Sequence, residues 1–404
     1  MMSRRLIADL HVHGRFSRGT SKDLSIQSLA EWAAIKGIDV IGTGDFTHPA
    51  WYREITESLR EDQSGLLVAQ NGVRFMWQTE ISLIFTQGGK GHRMHLIVLA
   101  PGRRTVDRIT TYLGSIGRLD YDGRPIFNRT AEEMVNGLME IDAGIEIIPA
   151  HVWTPWFSLF GSRSGFDSWE EAFGSATRHI HALETGLSSD PVMNRRLSSL
   201  DGIRMVSFSD LHSAKPWRMG REVTLFDCDA TYKSLINAIR TGEGLQGTVE
   251  VDPRYGKYYL DGHRVCSVIQ EPEQSMKEDN ICPVCGRPLT LGVLHRVTQL
   301  ADRLPPKRPE KQIYHLLPLS ELISYAIGKG KDTKAVWNVY WSLVSEGRSE
   351  FDVLLDMPVK DIGDGTLAAL VRDNRKGRLQ VEPGADGVYG HIKRAQNSLN
   401  AFFI

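Results

Sequence analysis

Two short patterns far apart in the chain constrain its fold more than anything else: Asp9-Leu10-His11-Val12-His13 near the start and Asp210-Leu211-His212 past the middle. Each follows a short apolar run, Leu6-Ile7-Ala8 in the first case and Met205-Val206-Ser207-Phe208 in the second. Alternate residues of an extended segment project from one face. His11 and His13 therefore point the same way, as do Asp210 and His212. Between the patterns, Asp45, His48, Glu80, His95 and His151 each stand at or near the end of another apolar run. Imidazole and carboxylate together suit Zn, Mn or Fe, and several such groups converging bind more than one ion. His92, His179, His181, His315 and His391 lack that setting and read as ordinary hydrogen-bonded histidines.

The region 1–245 alternates short apolar runs with helical patterns. Ile26 to Lys36 has helical spacing, and Ile38 to Ile41 reads as a strand ending in Gly42-Thr43-Gly44-Asp45. The rhythm recurs at Ile81 to Phe85, His95 to Leu99, a helix around Ala131 to Met139, Ile145 to Pro149 and Ile180 to Glu184. Strands alternating with helices predict an α/β fold with a parallel sheet or barrel. Metal-type residues after successive strands would then gather at the C-terminal strand ends, where barrel active sites form. Past Leu245 the texture changes: tyrosines cluster at 255, 258 and 259, a cysteine module follows, and the pattern from Leu289 is mainly helical, broken by Pro305-Pro306. With 404 residues, two or three folded units are expected. The reading divides the chain into 1–245, an α/β domain that carries the metal-type residues; 246–295, a cysteine-containing module; 296–395, a mainly helical domain; and 396–404, a terminal peptide.

Four cysteines are too few for a disulfide framework in so long a chain. His263-x2-Cys266 followed by Cys282-x2-Cys285 reads instead as one structural zinc site with four closed ligands, with His295 able to replace His263. Cys228 lies outside it and reads as a core residue. No run approaches the roughly 20 apolar residues that span a bilayer, and Met1 to Arg5 leads straight into a strand-like segment. The expectation is a cytoplasmic protein without a membrane partner. A net charge of −1 does not announce a nucleic-acid binder, although basic residues prevail between Arg287 and Lys334. No Ser-His-Asp arrangement competes with the metal reading, and the glycine-rich pieces lack a P-loop lysine.

The successive segments resemble the motifs of the PHP (polymerase and histidinol phosphatase) superfamily, which implies a distorted (β/α)7 barrel with two or three divalent ions, Zn, Mn, Mg or Fe. The resemblance carries metal ligation onto His11, His13, Asp45, Glu80, His95, His151, Asp210 and His212. The second motif, usually Thr-Asp-His, is here Thr43-Gly44-Asp45, so Asp45 and the nearby His48 remain alternatives. A further histidine common after the first motif is missing from Gly14 to Lys22. Glu80 corresponds to the bridging carboxylate, and Asp210, Glu80 and His11 are the expected catalytic groups. Clustered cations lower the pKa of water and neutralise the leaving oxygen of a phosphoester.

Among PHP relatives, Asp261-Gly262-His263-Arg264-Val265-Cys266, Cys282-Pro283-Val284-Cys285-Gly286 and Gly292-Val293-Leu294-His295-Arg296-Val297 resemble endonuclease Q in particular. So do Gly14-Arg15-Phe16-Ser17-Arg18 and Gly387-Val388-Tyr389-Gly390. The resemblance implies a DNA repair enzyme that cuts 5′ to uracil, hypoxanthine, xanthine and abasic sites. A deaminated base in a duplex must be extruded to be inspected. Trp153, in the aromatic run after His151, is the expected stacking residue, and Arg15, Arg18 and Lys22 are expected to contact phosphate. Leu354 to Ala369 resembles a helix-hairpin-helix, which would offer backbone N–H groups to phosphates. Gln396, Leu399, Phe402 and Phe403 match a peptide that binds PCNA-type sliding clamps, the leucine and phenylalanines sharing one face of a short helical turn. Such a clamp points to an archaeal nucleoid setting.

Overall fold

The computed structural model describes residues 5–213, 215, 217–306, 311–345, 347–363 and 365–393. The expected clamp peptide, with Gln396, Leu399, Phe402 and Phe403, lies outside the described residues. So does Asp364 of the expected hairpin, between a short 3-10 turn at Val359–Asp361 and the helix Gly365–Arg375.

The fold is mixed α/β. Its middle is parallel: Leu6–Asp9 pairs with Val40–Gly42, which pairs with Arg74–Gln87. These three strands are buried, as a parallel core covered on both faces demands. Beyond them the sheet turns antiparallel. Ile81 to Phe85 and His95 to Leu99, expected as separate strands of a βα rhythm, belong to one long hairpin, Arg74–Gln87 with Lys90–Ala100. The reason is the Gly88-Gly89 turn, whose residues have φ of 56° and 78° and close a two-residue loop between Gln87 and Lys90. Positive φ at both positions matches the twist of the flanking strands and favours glycine.

On the other side Leu6–Asp9 pairs antiparallel with Val223–Phe226, then comes Leu245–Glu250, and Gln312–His315 adds in parallel at the edge. The strands Ala182–Glu184 and Arg204–Val206 form a separate parallel pair. The ladders therefore do not close into the expected barrel; an isolated bridge between Val12 and Leu211 spans part of the gap. No helix among the described residues is long and apolar enough to cross a membrane.

The helix Ile26–Lys36 shows how local sequence sets these elements. Ser25 and Ser28 form a reciprocal capping box, and Gly37 ends the helix in the left-handed region at φ 84°. A side chain at Gly37 would collide with Ser349, so the turn also fits tightly against the C-terminal segment. There Lys36 Nζ lies 3.0 Å from Glu350 Oε2, with side-chain exposures of 2% and 3%. Glu350 also accepts from Leu319 N at 3.0 Å and from Tyr340 Oη at 2.7 Å. Removing one partner of such a pair strands a buried charge. Lys36→Met is expected to lower unfolding stability by about 3–5 kcal/mol in urea titration, with Lys36→Met/Glu350→Gln less destabilised than the single variant.

Glu222 and Glu250 flank the cross-strand pair Val223–Val249 and are both buried. Ser207 Oγ donates to Glu222 Oε2 at 2.6 Å and Thr248 Oγ1 to Glu250 Oε1 at 2.7 Å. Burial pushes the Glu222 carboxyl up to about 8, and burial together with the Glu222 charge raises Glu250 well above the usual range. Such an acid stays neutral in the fold where the unfolded chain is already ionised. Its effect on stability is therefore increasingly unfavourable as pH rises from about 4.5 to about 8. Glu222→Gln keeps an acceptor for Ser207 but cannot ionise. Its melting temperature relative to wild type should rise by several degrees between about pH 5 and about pH 8 in calorimetry; a constant difference would exclude the pair as the source.

Candidate metal centre

Strand ends bring the site together. Asp9, at the end of the first strand, accepts from Ser209 N at 2.9 Å and Gly220 N at 3.1 Å. His13 N donates to Leu211 O at 3.0 Å and Leu211 N to His11 O at 3.3 Å. These bonds set the first and last motifs side by side. The second motif is fixed by Trp51, whose Nε1 donates to Thr43 O at 2.9 Å and Gly44 O at 3.0 Å. Trp51 also packs so closely on the first motif that a Cβ at Gly14 would meet its ring at 2.6 Å. Asp45, His151 and Asp210 have φ of 31°, 33° and 47°, a region L-residues rarely adopt. They stand a few residues past the strands Val40–Gly42, Glu146–Pro149 and Arg204–Val206, on strained turns of the kind found at functional sites.

Two triads of donor atoms result, His11 with His13 and Asp210, and Glu80 with His95 and His151, each within 4.8 Å. Glu80 lies between them. Its Oε1 is 2.8 Å from His95 Nδ1, 3.3 Å from His151 Nε2 and 3.5 Å from His11 Nε2. Its Oε2 is 3.3 Å from His13 Nε2 and 3.1 Å from Arg124 Nη1. Asp210 Oδ1 lies 3.1 Å from His13 Nε2 and 3.5 Å from His11 Nε2.

Asp45 does not join these triads. Its Oδ1 lies 3.0 Å from His13 Nδ1, and its Oδ2 accepts from Gly14 N at 2.7 Å and Ser17 Oγ at 2.6 Å. With both oxygens engaged, Asp45 orients His13 so that Nε2 faces the centre. The alternative, His48, also stays out: it caps the helix Pro49–Ser58 and stacks on Phe16 with ring centres 4.3 Å apart. His212 adjoins the centre, its Nδ1 2.9 Å from Asp210 O and its ring 4.2 Å from that of His13. Two residues outside the sequence-based set belong to the site. Glu184 Oε1 lies 2.9 Å from His11 Nδ1, and its Oε2 accepts from His151 N at 2.7 Å. Arg124 reaches Glu80 from the 118–128 loop. Glu184 ends the apolar strand Ala182–Glu184, a signal that could have found it; Arg124 follows no strand and had none.

The charges follow from this packing. Burial would raise Glu80, but His95, Arg124 and His11 outweigh it and hold the carboxyl well below its usual range. Asp210 is likewise held well below by His212 and His11 against burial. Burial pushes His95 down to about 4, whereas the surrounding carboxylates outweigh burial and raise His11, His13 and His151.

The second cluster lies in the cysteine module. Donor atoms of His263, Cys266, Cys282 and Cys285 all fall within 4.8 Å of one another. His295 is engaged elsewhere, its Nδ1 2.6 Å from the buried Asp261 Oδ2, so His263 is the histidine that joins the cysteines.

Of the residues expected to meet DNA, Arg18 and Lys22 are exposed, and Arg15 is tied to Glu54. Trp153 is 1% exposed and donates from Nε1 to Asn194 Oδ1 at 2.7 Å. It is a core residue and offers no face to a base. The exposed aromatic of that run is Trp156.

Residues 318–378 match the family model of the MJ0043 C-terminal domain. Protein MJ0043 of Methanocaldococcus jannaschii is 31% identical over 69% of this chain, which spans only 35% of that protein's length. YqxK of Bacillus subtilis is 27% identical over 96% of the chain and all of its own length. Among solved structures, the lesion-specific endonuclease PfuEndoQ from Pyrococcus furiosus superposes with a TM-score of 0.87 at 32% identity, covering 98% of this chain and 97% of that one. The chain belongs to the endonuclease Q family. A second endonuclease Q structure, a complex with a 27-mer duplex bearing an abasic lesion at the active site, gives a TM-score of 0.86 at 32% identity over 98% of both chains.

The hydrogen-bonded carboxylates that aim the histidines are open to direct test. Glu184→Gln and Asp45→Asn should each lower metal affinity by about 10–100-fold in calorimetric titration. Affinity unchanged by both would show that these carboxylates do not orient the ligands.

Proposed function

We propose that this chain is a DNA repair endonuclease that hydrolyses the phosphodiester bond 5′ to deaminated bases (uracil, hypoxanthine, xanthine) and abasic sites. The whole-chain likeness to an endonuclease Q bound to abasic duplex DNA carries the reading. The residues present fit divalent metal. His11 Nε2 is buried and without a hydrogen-bond partner, while Nδ1 is engaged by Glu184, so the free nitrogen faces Glu80 and Asp210. His11, His13, Glu80, His95, His151 and Asp210 would hold two or three ions, with His212 beside them. Bound Zn, Mn, Mg or Fe would lower the pKa of water and neutralise charge on the leaving oxygen. The chain's own contribution is positional. Ionised Glu80 and Asp210 hold the two triads at one spacing, and Arg124 keeps a fixed positive charge beside Glu80 for a phosphoryl oxygen.

Three finer features belong to the same proposal. His263, Cys266, Cys282 and Cys285 would hold one structural zinc. The helical segment after residue 296 would engage DNA beside residues 1–245, with 246–295 as the zinc module between them. The terminal peptide would bind a PCNA-type clamp, so Phe402→Ala with Phe403→Ala should abolish clamp capture in a pull-down and leave nicking of short duplexes unchanged.

The deciding experiment uses end-labelled duplexes bearing one uracil, hypoxanthine or abasic site, incubated with Mn, Mg or Zn and sized on a denaturing gel. A nick immediately 5′ of the lesion is expected, reduced at least about 1,000-fold in Glu80→Gln and absent from undamaged duplex. Phosphate release from small phosphomonoesters without nicking would make the chain a phosphatase of the histidinol-phosphate type. Metal binding with neither activity would leave a DNA- or clamp-binding scaffold.

A further inference from the structure

We propose that a groove beside the metal centre is a stacking and phosphate-binding surface for the unpaired stretch of DNA next to the cut. The inference deepens the endonuclease reading and rests on it. The groove, about 960 Å³, lies between the outer end of the long hairpin and the loops 118–128 and 156–164. Tyr121, Trp156 and Ile126 line it at 42%, 40% and 39% exposure. Single exposed apolar side chains are ordinary, but several gathered in one concavity mark a binding surface. Arg93 and Arg163 are exposed along it, and no Asp or Glu lines it among the described residues. Aromatic faces interleaved with uncompensated guanidinium groups match bases that stack and phosphates that repeat, independently of sequence.

The groove is preformed and linked to the centre by side-chain contacts. Tyr121 Oη accepts from Ile126 N at 3.0 Å, and Arg93 N donates to Ser164 O at 3.3 Å, fixing both walls. The Arg93 guanidinium lies 5.7 Å from the centre of the Phe157 ring, whose centre is 4.8 Å from that of His95. His95 in turn meets Glu80 at 2.8 Å. On the other wall Tyr121 precedes Arg124, which meets Glu80 at 3.1 Å. A strand whose scissile phosphate lies at the metal centre beside Arg124 would be led past Phe157 into this groove, with its neighbouring bases against Tyr121 and Trp156.

The test uses the full chain and an abasic duplex with 2-aminopurine placed at successive flanking positions. Tyr121→Ala/Trp156→Ala should raise both KM for nicking and Kd about tenfold or more, with kcat within about threefold. It should also relieve the quenching of 2-aminopurine at one flank. Tyr121→Phe/Trp156→Phe should restore binding, and Arg93→Ala or Arg163→Ala should each flatten the dependence of log affinity on log salt by about 0.7–0.9. Wild-type nicking with KM, Kd and salt slope unchanged in the variants would overturn the groove and leave the endonuclease reading intact. A phenylalanine pair as weak as the alanine pair would also overturn stacking. Lesion duplex bound by wild type and lost by the alanine pair, without any nicking, would keep the groove as a DNA surface and sink the endonuclease reading.

Discussion

Glu80 is a fully buried carboxylate with the imidazoles of His11, His13, His95 and His151 and the guanidinium of Arg124 all within 3.5 Å. A charge of that size is costly to remove from water, by several kcal/mol even after relaxation, and it is tolerated only where compensating charge is held close. Much of the surrounding architecture supplies that compensation. The hairpin carries Glu80 and His95 on neighbouring strands, with Ser82 opposite His95. The paired first and last motifs bring His11 and His13 from the start of the chain against Asp210 from its middle. Glu184 and Asp45, themselves buried carboxylates, turn two of these imidazoles so that their open nitrogens face Glu80.

The strained backbone has the same origin. Left-handed φ at Asp45, His151 and Asp210 costs free energy that ordinary packing would remove by substitution with glycine. Glycine, however, would delete the side chains that orient His13, complete the second triad and anchor the first. The strain persists because the hydrogen bonds around it fix the turns from outside: Trp51 onto Gly44 O, Glu184 onto His151 N, and Asp9 onto Ser209 N. Functional side chains thus sit on residues whose own conformation is over-determined by neighbours that perform no chemistry.

Side-chain periodicity was the part of this site most legible in the sequence. H-x-H and D-x-H after apolar runs say which way the side chains point, and His11, His13, Glu80, His95, His151 and Asp210 do converge. What periodicity could not separate is a ligand from the group behind a ligand. Asp45 and Glu184 stand at or just past strand ends as His11, His13 and His151 do, and only the three-dimensional register reveals that their oxygens meet Nδ1 of His13 and His11 rather than the centre. Strand direction was lost for a different reason: Gly88-Gly89 is a strong hairpin turn, yet the helical rhythm on either side suggested a parallel crossover. Trp153 failed as a stacking residue because an aromatic next to a ligand is as easily core as surface; its Nε1 bond to Asn194 settles it, while Trp156, three residues on, faces outward. The three cysteines of the second cluster were legible from their spacing, but the choice of His263 over His295 was not; the Nδ1 contact of His295 with Asp261 decides it.

The attachment of the helical C-terminal segment follows from the same topology. One anchor is behind the sheet, where Lys36 meets Glu350 just before the chain enters the second strand. The other is in front: the chain leaving Asp210 and His212 reaches Trp217, whose ring centre lies 6.3 Å from that of Trp337 and carries Lys215 and Lys331 above it at 5.3 Å. Trp337 packs in turn on Tyr340, whose hydroxyl donates to Glu350. The buried ion pair and Trp217, five residues past His212, are therefore joined through one aromatic cluster.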